Sequence, residues 1–379
     1  MGDDELRYGI IGTGMMGCEH IRSLRALPGA RPVAAADPVP RSREWATAAA
    51  EGEIDTYADA RELLARDDLD VVVVASPNHT HRDALEPVWD TDLHVLVEKP
   101  LCTTVADALH VRERARDHAG MVWVGLEYRF IPAVDRFLGE VRAGVAGDVT
   151  MLFVREHRNP FLVKVGDWNR FSRNTGGTLV EKCCHFFDLM NQALPGRPVR
   201  VMGSGAQDVN HLDERYGGEV PDILDNAFVI VDYDGGQRAL LDLCMFAEGS
   251  RWEQELTATG SEGKVEVMLP GFMEFLRGRR PQLVRGGRGP DWPVERIDVP
   301  DDDRVLEQGG HHGATFLEHL AMGEAIRRGA PPLVDGDQGV RSVAMGVAAH
   351  LAIDEGRVVH LDELGLPDDL WDQVPASGA

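Results

Sequence analysis

Two groups of residues in this 379-residue chain have the types and spacing to move a proton. The first lies in Leu179 to Ala193, an apolar stretch that reads as one helix. At 100° per residue, Glu181, His185, Asp188 and Gln192 fall within an arc of roughly 60°, a narrow polar stripe on an otherwise buried helix. An ordinary solvated face would be wider and richer in Lys and Arg. Glu181 and His185 are one turn apart, so a carboxylate can orient the imidazole and raise its proton affinity. His185 then suits a general base that takes a hydroxyl proton. The second is Lys99, one of only four lysines in the chain, with Lys164, Lys182 and Lys264. It follows the apolar run Leu93 to Val97 in Glu98-Lys99-Pro100, and an ammonium there can stabilise an alkoxide as it forms. A plain surface lysine after a strand is the alternative.

A third feature supplies a partner for such chemistry. Gly12-Thr13-Gly14-Met15-Met16-Gly17 follows one apolar run and opens a helix. In that context the first glycine allows a tight turn, the second lets backbone approach a diphosphate, and the third lets helix and strand pack closely. The helix N-terminus favours the negative charge. Asp37 ends the next apolar run, twenty residues after Gly17, where a carboxylate accepts adenosine ribose hydroxyls. Its charge would repel a 2′-phosphate, so NAD is preferred over NADP. Arg41, four residues on, could soften that preference.

These residues need a scaffold, and the pattern supplies two. Strands are predicted at Tyr8–Ile11, Val33–Ala36, Val71–Ala75, Leu93–Val97 and Met121–Gly125, and helices at Met15–Leu27, Arg41–Glu51 and Val105–Ala119. That βαβ order implies a doubly wound parallel sheet, an α/β Rossmann domain over residues 1–128. Beyond it, Val149–Glu156, Val199–Ala206, Asn226–Tyr233, Ala239–Phe246, Glu255–Thr259 and Lys264–Met268 read as strands with hairpin turns at Asp234-Gly235-Gly236 and Gly260–Gly263. Strand runs without intervening helices imply a mostly antiparallel sheet, hence an α+β domain over residues 129–379. Gly286–Pro293 reads as a loop, helices are expected near Ala314–Arg328 and Asp337–Glu355, and the acidic tail after Leu364 reads as loosely held.

Composition narrows the function classes. A net charge of −24 argues against nucleic acid and anionic membrane surfaces, which need a positive field. No apolar run is long enough to span a bilayer. The acidic start Met1-Gly2-Asp3-Asp4-Glu5 is unlike a secretory leader, and five cysteines without a C-x-x-C fit reduced thiols in a cytoplasm. Arg155, Arg158, Lys164, Arg170 and Arg173 form a basic island, read either as ion pairs or as a site for an anionic substrate, the ion pairs preferred. Trp168 in the same loop could stack on a sugar ring or plug the rim. His311 and His312 stand before a helix and could line or cap the pocket. No metal-ligand set stands out, and His79 and His81 read as cofactor-loop residues.

The chain resembles the glucose–fructose oxidoreductase/inositol dehydrogenase (Gfo/Idh/MocA) family. The likeness rests on the glycine loop, on Ser76-Pro77-Asn78-His79-Thr80-His81, on Glu98-Lys99-Pro100 and on Gly176 to Asp188, over roughly residues 6 to 360. The resemblance implies NAD(P)-dependent hydride transfer at a carbinol or carbonyl carbon of a small polyhydroxylated substrate, a sugar or cyclitol. It implies a large open sheet that supports homodimers or homotetramers. It places the cofactor on Gly12, Thr13, Gly14, Met15, Met16, Asp37, Ser76, Pro77, Asn78, His81, Glu98 and Lys99. The resemblance gives Lys99 and His185 to the substrate, and with the residue readings above the substrate set is Lys99, Arg129, Trp168, Glu181, Lys182 and His185, with Lys99, His185 and Glu181 catalytic. Departures are Glu181, where Asp is more usual, Lys182 and Cys183, where apolar and small residues are, and Glu127, where Asn is common. Two other functions share this fold: a glycoside-cleaving enzyme that retains NAD through a transient oxidation, and a non-catalytic dinucleotide-binding regulator.

Overall fold

In a computed structural model, which describes residues 5–291, 293–299 and 310–372, the chain builds two sheets. The first is six-stranded and wholly parallel: β1 (Leu6–Ile11), β2 (Ala30–Ala36), β3 (Asp55–Tyr57), β4 (Val71–Val74), β5 (His94–Glu98) and β6 (Val122–Gly125), in the order β3-β2-β1-β4-β5-β6. The reversal of order beside β1 opens a crevice at the carboxyl ends of the strands, where ligands bind in such sheets. The four valines of β4 are wholly buried, as expected of a central strand covered on both faces. The α/β expectation holds, and the short β3 is added to it.

The second sheet has nine strands: β7 (Val149–His157), β8 (Pro198–Ala206), β9 (Asn226–Tyr233), β10 (Arg238–Cys244), β11 (Gln254–Gly260), β12 (Gly263–Leu269), β13 (Gln282–Gly287), β14 (Val294–Asp298) and β15 (Val359–His360). Their order is β14-β13-β12-β11-β7-β10-β9-β8-β15, with every pair antiparallel except β7 and β10. Burial alternates along the strands, so one face packs under helices and the other is open.

Three expectations need correction. Gly286 and Gly287 are not loop but the end of β13, paired with Lys264 and Gly263; extended glycines carry ladder bonds as well as any residue. A helix at Pro132–Arg142 went unpredicted, although Pro132 opens it and Ala133, Val134, Phe137 and Leu138 bury one face. The segment after Leu364 is docked as far as it is described. Leu370 is buried, its carbonyl accepts from Arg341 Nε at 2.7 Å, and Asp369 pairs with Arg116 at 2.6 Å. Residues 373–379 lie outside the described residues.

The helix Gly336–Glu355 joins the halves. Val340 and Val343 enter the core of the parallel sheet, while Ala344, Met345, Ala348, Ala349 and Ala352 enter the core of the second. Its N-terminus is closed by a capping box between Asp335 and Gln338. Nearby, Val124 N of β6 donates to Val334 O at 3.0 Å, and Arg129 Nε to Asp188 Oδ2 at 2.6 Å. Arg129 Nη2 donates to Asp188 Oδ1 as well, which makes the pair bidentate. Both side chains are buried, so removing one strands the other's charge. Asp188→Ala is expected to destabilise the fold by about 3–5 kcal/mol, read as a shifted urea midpoint; an unchanged midpoint would show the pair to be dispensable.

Candidate active site

The glycine loop has the geometry its spacing implies. Gly12 has φ +88°, and a Cβ there would lie 2.5 Å from Ser76 N. A Cβ on Gly17 would sit 2.0 Å from Gly12 O, so helix and strand touch through that position. Nothing lies within 4 Å of a Cβ placed on Gly14. The helix Met15–Ala26 that starts there has no side-chain cap and no acid in its first turn, which leaves its amides open to an anion. Met15 is exposed and Met16 half-buried on that turn. Two buried polar atoms of the flanking loops, Thr13 Oγ1 and Asn78 Nδ2, have no hydrogen-bond partner. An uncapped helix, a cradle only glycine leaves clear and unmatched polar atoms fit a dinucleotide diphosphate.

Asp37 stands just past β2, with Oδ2 accepting from Thr13 N at 2.9 Å and Oδ1 from Val39 N at 2.8 Å. Each oxygen keeps a lone pair for a ribose hydroxyl. Arg41 lies over Trp45, 5.3 Å from the ring centre, and Arg43 donates to the Asp37 carbonyl at 2.6 Å.

The loop after β4 is braced from inside. Thr80 Oγ1 donates to Pro77 O at 2.7 Å and lies 2.8 Å from Ser76 Oγ, whose hydroxyl can donate to it, and Asn78 is buried. His81 is buried with one ring nitrogen 2.9 Å from Pro100 O and the other 3.0 Å from Ser76 O. It ties the Ser76 loop to the turn that carries Lys99. His79 is exposed and 6.2 Å from the ring of half-buried Trp168.

Glu98 ends β5 and Lys99 follows it, and the two side chains find different partners. Glu98 is buried and faces inward: Oε1 is 2.9 Å from His20 Nε2, and Oε2 accepts Lys99 N at 3.0 Å. Burial works to raise its carboxyl pKa, but the bond and charge of His20, with the charge and backbone N–H of Lys99, outweigh it and hold the group below its ordinary value. Lys99 is half-buried and its Nζ donates to Glu181 O at 3.2 Å, which brings the two predicted motifs together.

The predicted helix over Leu179–Ala193 is in fact two, Thr178–Glu181 and Cys184–Ala193, with a break at Lys182 and Cys183. That break undoes the simple one-turn relation of Glu181 and His185. The Glu181 carboxylate meets Lys164 Nζ at 3.3 Å through Oε1, while its Oε2 is buried without a partner. His185 is held by Tyr128, whose ring stacks on the imidazole at 3.9 Å with 7° between planes. Tyr128 OH in turn accepts from Lys182 Nζ at 2.5 Å, and Lys182 pairs with Glu156 at 2.9 Å. Burial, then the charges of Lys99 and Lys182, push the His185 pKa well below its ordinary value. The imidazole is therefore neutral at physiological pH, and its Nδ1 is buried with no hydrogen-bond partner.

Tyr128 and His20 were not singled out in the sequence, since neither belongs to a spaced motif with the residue it serves. Two residues expected at the substrate are committed elsewhere. Arg129 is taken by Asp188 and by Leu333 O at 2.9 Å, and Lys182 by Glu156 and Tyr128. The basic island is likewise paired: Arg155 with Glu255 at 2.6 Å, Arg158 with Glu156 at 3.3 Å, Arg170 with Glu214 and Arg173 with Glu219, both at 2.8 Å. Lys164, already bound to Glu181, also lies 4.6 Å from the centre of the Trp168 ring.

Comparison with known proteins agrees with this geometry. Along 95% of its length the chain is 24% identical to scyllo-inositol 2-dehydrogenase (NAD(+)) of Bacillus subtilis, covering 97% of that protein. It is 25% identical to myo-inositol 2-dehydrogenase of Thermotoga maritima, covering 95% of this chain and 99% of the relative. A solved levoglucosan dehydrogenase in complex with NADH and levoglucosan superposes with a TM-score of 0.80 at 18% identity, over 94% of this chain and 99% of the other, which shows a shared fold. Residues 6–126 match the oxidoreductase family's NAD-binding Rossmann fold, residues 139–361 match its C-terminal alpha/beta domain, and the chain belongs to this Gfo/Idh/MocA oxidoreductase family.

Proposed function

We propose that this NAD-dependent oxidoreductase oxidises a secondary hydroxyl of a cyclitol, sugar or sugar derivative, with His185 as general base and Lys99 holding the reacting oxygen. The observation that carries the reading is the convergence of Lys99, Glu181 and a neutral, unpartnered His185 at the carboxyl edge of the parallel sheet. Gly12, Thr13, Gly14, Met15 and Met16 would hold the diphosphate, Asp37 the adenosine ribose, and Ser76, Pro77 and Asn78 the loop beside it. When bound, the dinucleotide supplies the hydride acceptor. Lys99 donates to the substrate hydroxyl and stabilises the developing alkoxide. His185 removes the proton, its ring kept in place by Tyr128. Glu181, fixed by Lys164, positions Lys99 through its carbonyl and offers its free oxygen to a second hydroxyl. The inositol specificity of the two relatives and the levoglucosan in the solved structure support the substrate class. With its cations paired to protein acids, the basic island lends no support to an anionic substrate.

In this reading residues 1–128 bind the dinucleotide and 129–379 shape the substrate pocket and assemble the oligomer. The open face of the second sheet carries Phe153, Leu240, Ile230 and Met202 in one cross-strand row, with Met151 and Phe228 54% and 59% exposed beside it. A second copy of the chain would cover so broad an apolar face. The five free cysteines fit a cytoplasmic protein. Among the described residues no helix is long and apolar enough to cross a membrane.

Four outcomes are expected. His185→Ala should lower kcat with myo-inositol or another accepted cyclitol by about 10²–10⁴-fold while NAD+ binding, read by calorimetry, persists. In the wild type, because the base works deprotonated and its pKa is depressed, the acid limb of kcat/KM should fall below pH 6.5; a limb at or above that value, or undiminished turnover in the variant, removes His185 from the role. Asp37→Ser should weaken NAD+ and improve NADP+ relative to it by about 1–2 kcal/mol, measured as the ratio of their kcat/KM values; an unchanged ratio would free Asp37 from cofactor choice. Ile230→Glu with Phe228→Glu should shift the scattering mass from dimer or tetramer to monomer, and a wild-type monomer would refute the interface.

A further inference from the structure

The proposed chemistry leaves one buried cluster unused. Glu19 on the Met15–Ala26 helix, Glu127 in the turn after β6 and His311 in the turn before the Ala314–Arg328 helix come from three distant segments. One donor atom from each lies within 4.8 Å of the other two. Glu19 Oε1 is 3.0 Å from His311 Nδ1, and Glu127 Oε1 is 3.5 Å from the same nitrogen. Donors bound at 2.0–2.2 Å to one ion, in tetrahedral or adjacent octahedral positions, stand about 3.0–3.5 Å apart, the spacing of His311 Nδ1 from each carboxylate here.

The second observation concerns what the cluster lacks. Glu127 is 1% exposed, and its Oε1, aimed at His311, is buried with no hydrogen-bond partner. Its other oxygen and Glu19 Oε1 share Thr315 Oγ1, at 2.7 and 2.8 Å, and one hydroxyl proton serves only one of two carboxylates. Three carboxylate oxygens thus face one imidazole nitrogen and one hydroxyl.

We propose that Glu19, Glu127 and His311 bind one divalent transition-metal ion, Zn2+ or Mn2+. The mixed carboxylate and imidazole set suits these ions better than Mg2+ or Ca2+, which favour all-oxygen sites. Three protein ligands leave positions open to water or to a substrate oxygen. His311 tilts over the Tyr128 ring at 6.2 Å, so the ion would border the pocket of His185. The site is independent of the roles given to His185 and Lys99.

The test is calorimetric titration of chelator-stripped full-length protein with ZnCl2 and with MnCl2, with bound Mn2+ counted by electron paramagnetic resonance. One ion per chain is expected, bound more tightly than Mg2+. Glu127→Gln and His311→Ala should each weaken it by about tenfold or more, while circular dichroism melts verify that both variants fold. No saturable binding of either ion by the wild type up to about 1 mM overturns the proposal, as does equal binding by the wild type and a folded variant.

Discussion

Burial of charge at the seam between the two sheets is the constraint on which the site depends. Glu98, Glu127, Glu156, Glu181, Lys182, Asp188 and Arg129 are all removed from solvent there. An unpaired charge in such surroundings costs several kcal/mol, so each must find a partner of fitting shape. The partners come from remote segments: His20 for Glu98, Asp188 for Arg129, Glu156 for Lys182 and Lys164 for Glu181. The helices at the end of the chain are tied to the parallel-sheet half by further buried bonds, His20 to His319, Trp123 to Glu318 and Arg112 to Asp337. The shared helix Gly336–Glu355 fixes the same seam by apolar packing.

That pairing decides which groups remain for chemistry. In a chain of net charge −24, nearly every cation near the pocket is occupied by an acid. Lys99 is the exception in kind, since its ammonium meets a carbonyl rather than a carboxylate and keeps donors for a ligand. His185 is the counterpart. Surrounded by burial and by cations, it stays neutral, and an aromatic stack holds it without consuming its nitrogens. Orientation by Tyr128 leaves the base weaker than a carboxylate partner would make it, but available at lower pH.

Much of the scaffold was legible because it is local. The six principal strands of the second sheet and all but the shortest strand of the first follow from alternating or continuous apolar runs, and the glycine loop from a spacing contained within six residues. Lys99 and His185 were legible as candidates, from position after a strand and from a narrow polar stripe. The stripe itself misled in one respect. Helical periodicity assumes unbroken backbone, and the chain breaks at Lys182, so Glu181 faces Lys164 and not its expected neighbour.

Sequence by itself determined the order of elements, the dinucleotide cradle and the identity of the groups able to transfer a proton, because these depend on neighbours close along the chain. Only tertiary structure decided how those groups are employed. Arg129 and Lys182 look like substrate ligands until Asp188 and Glu156 are folded against them. Glu19, Glu127 and His311 are separated by 108 and 184 positions, and no spacing rule joins them. The free energy of a buried charge depends on what surrounds it in three dimensions, and that is settled only when distant segments pack.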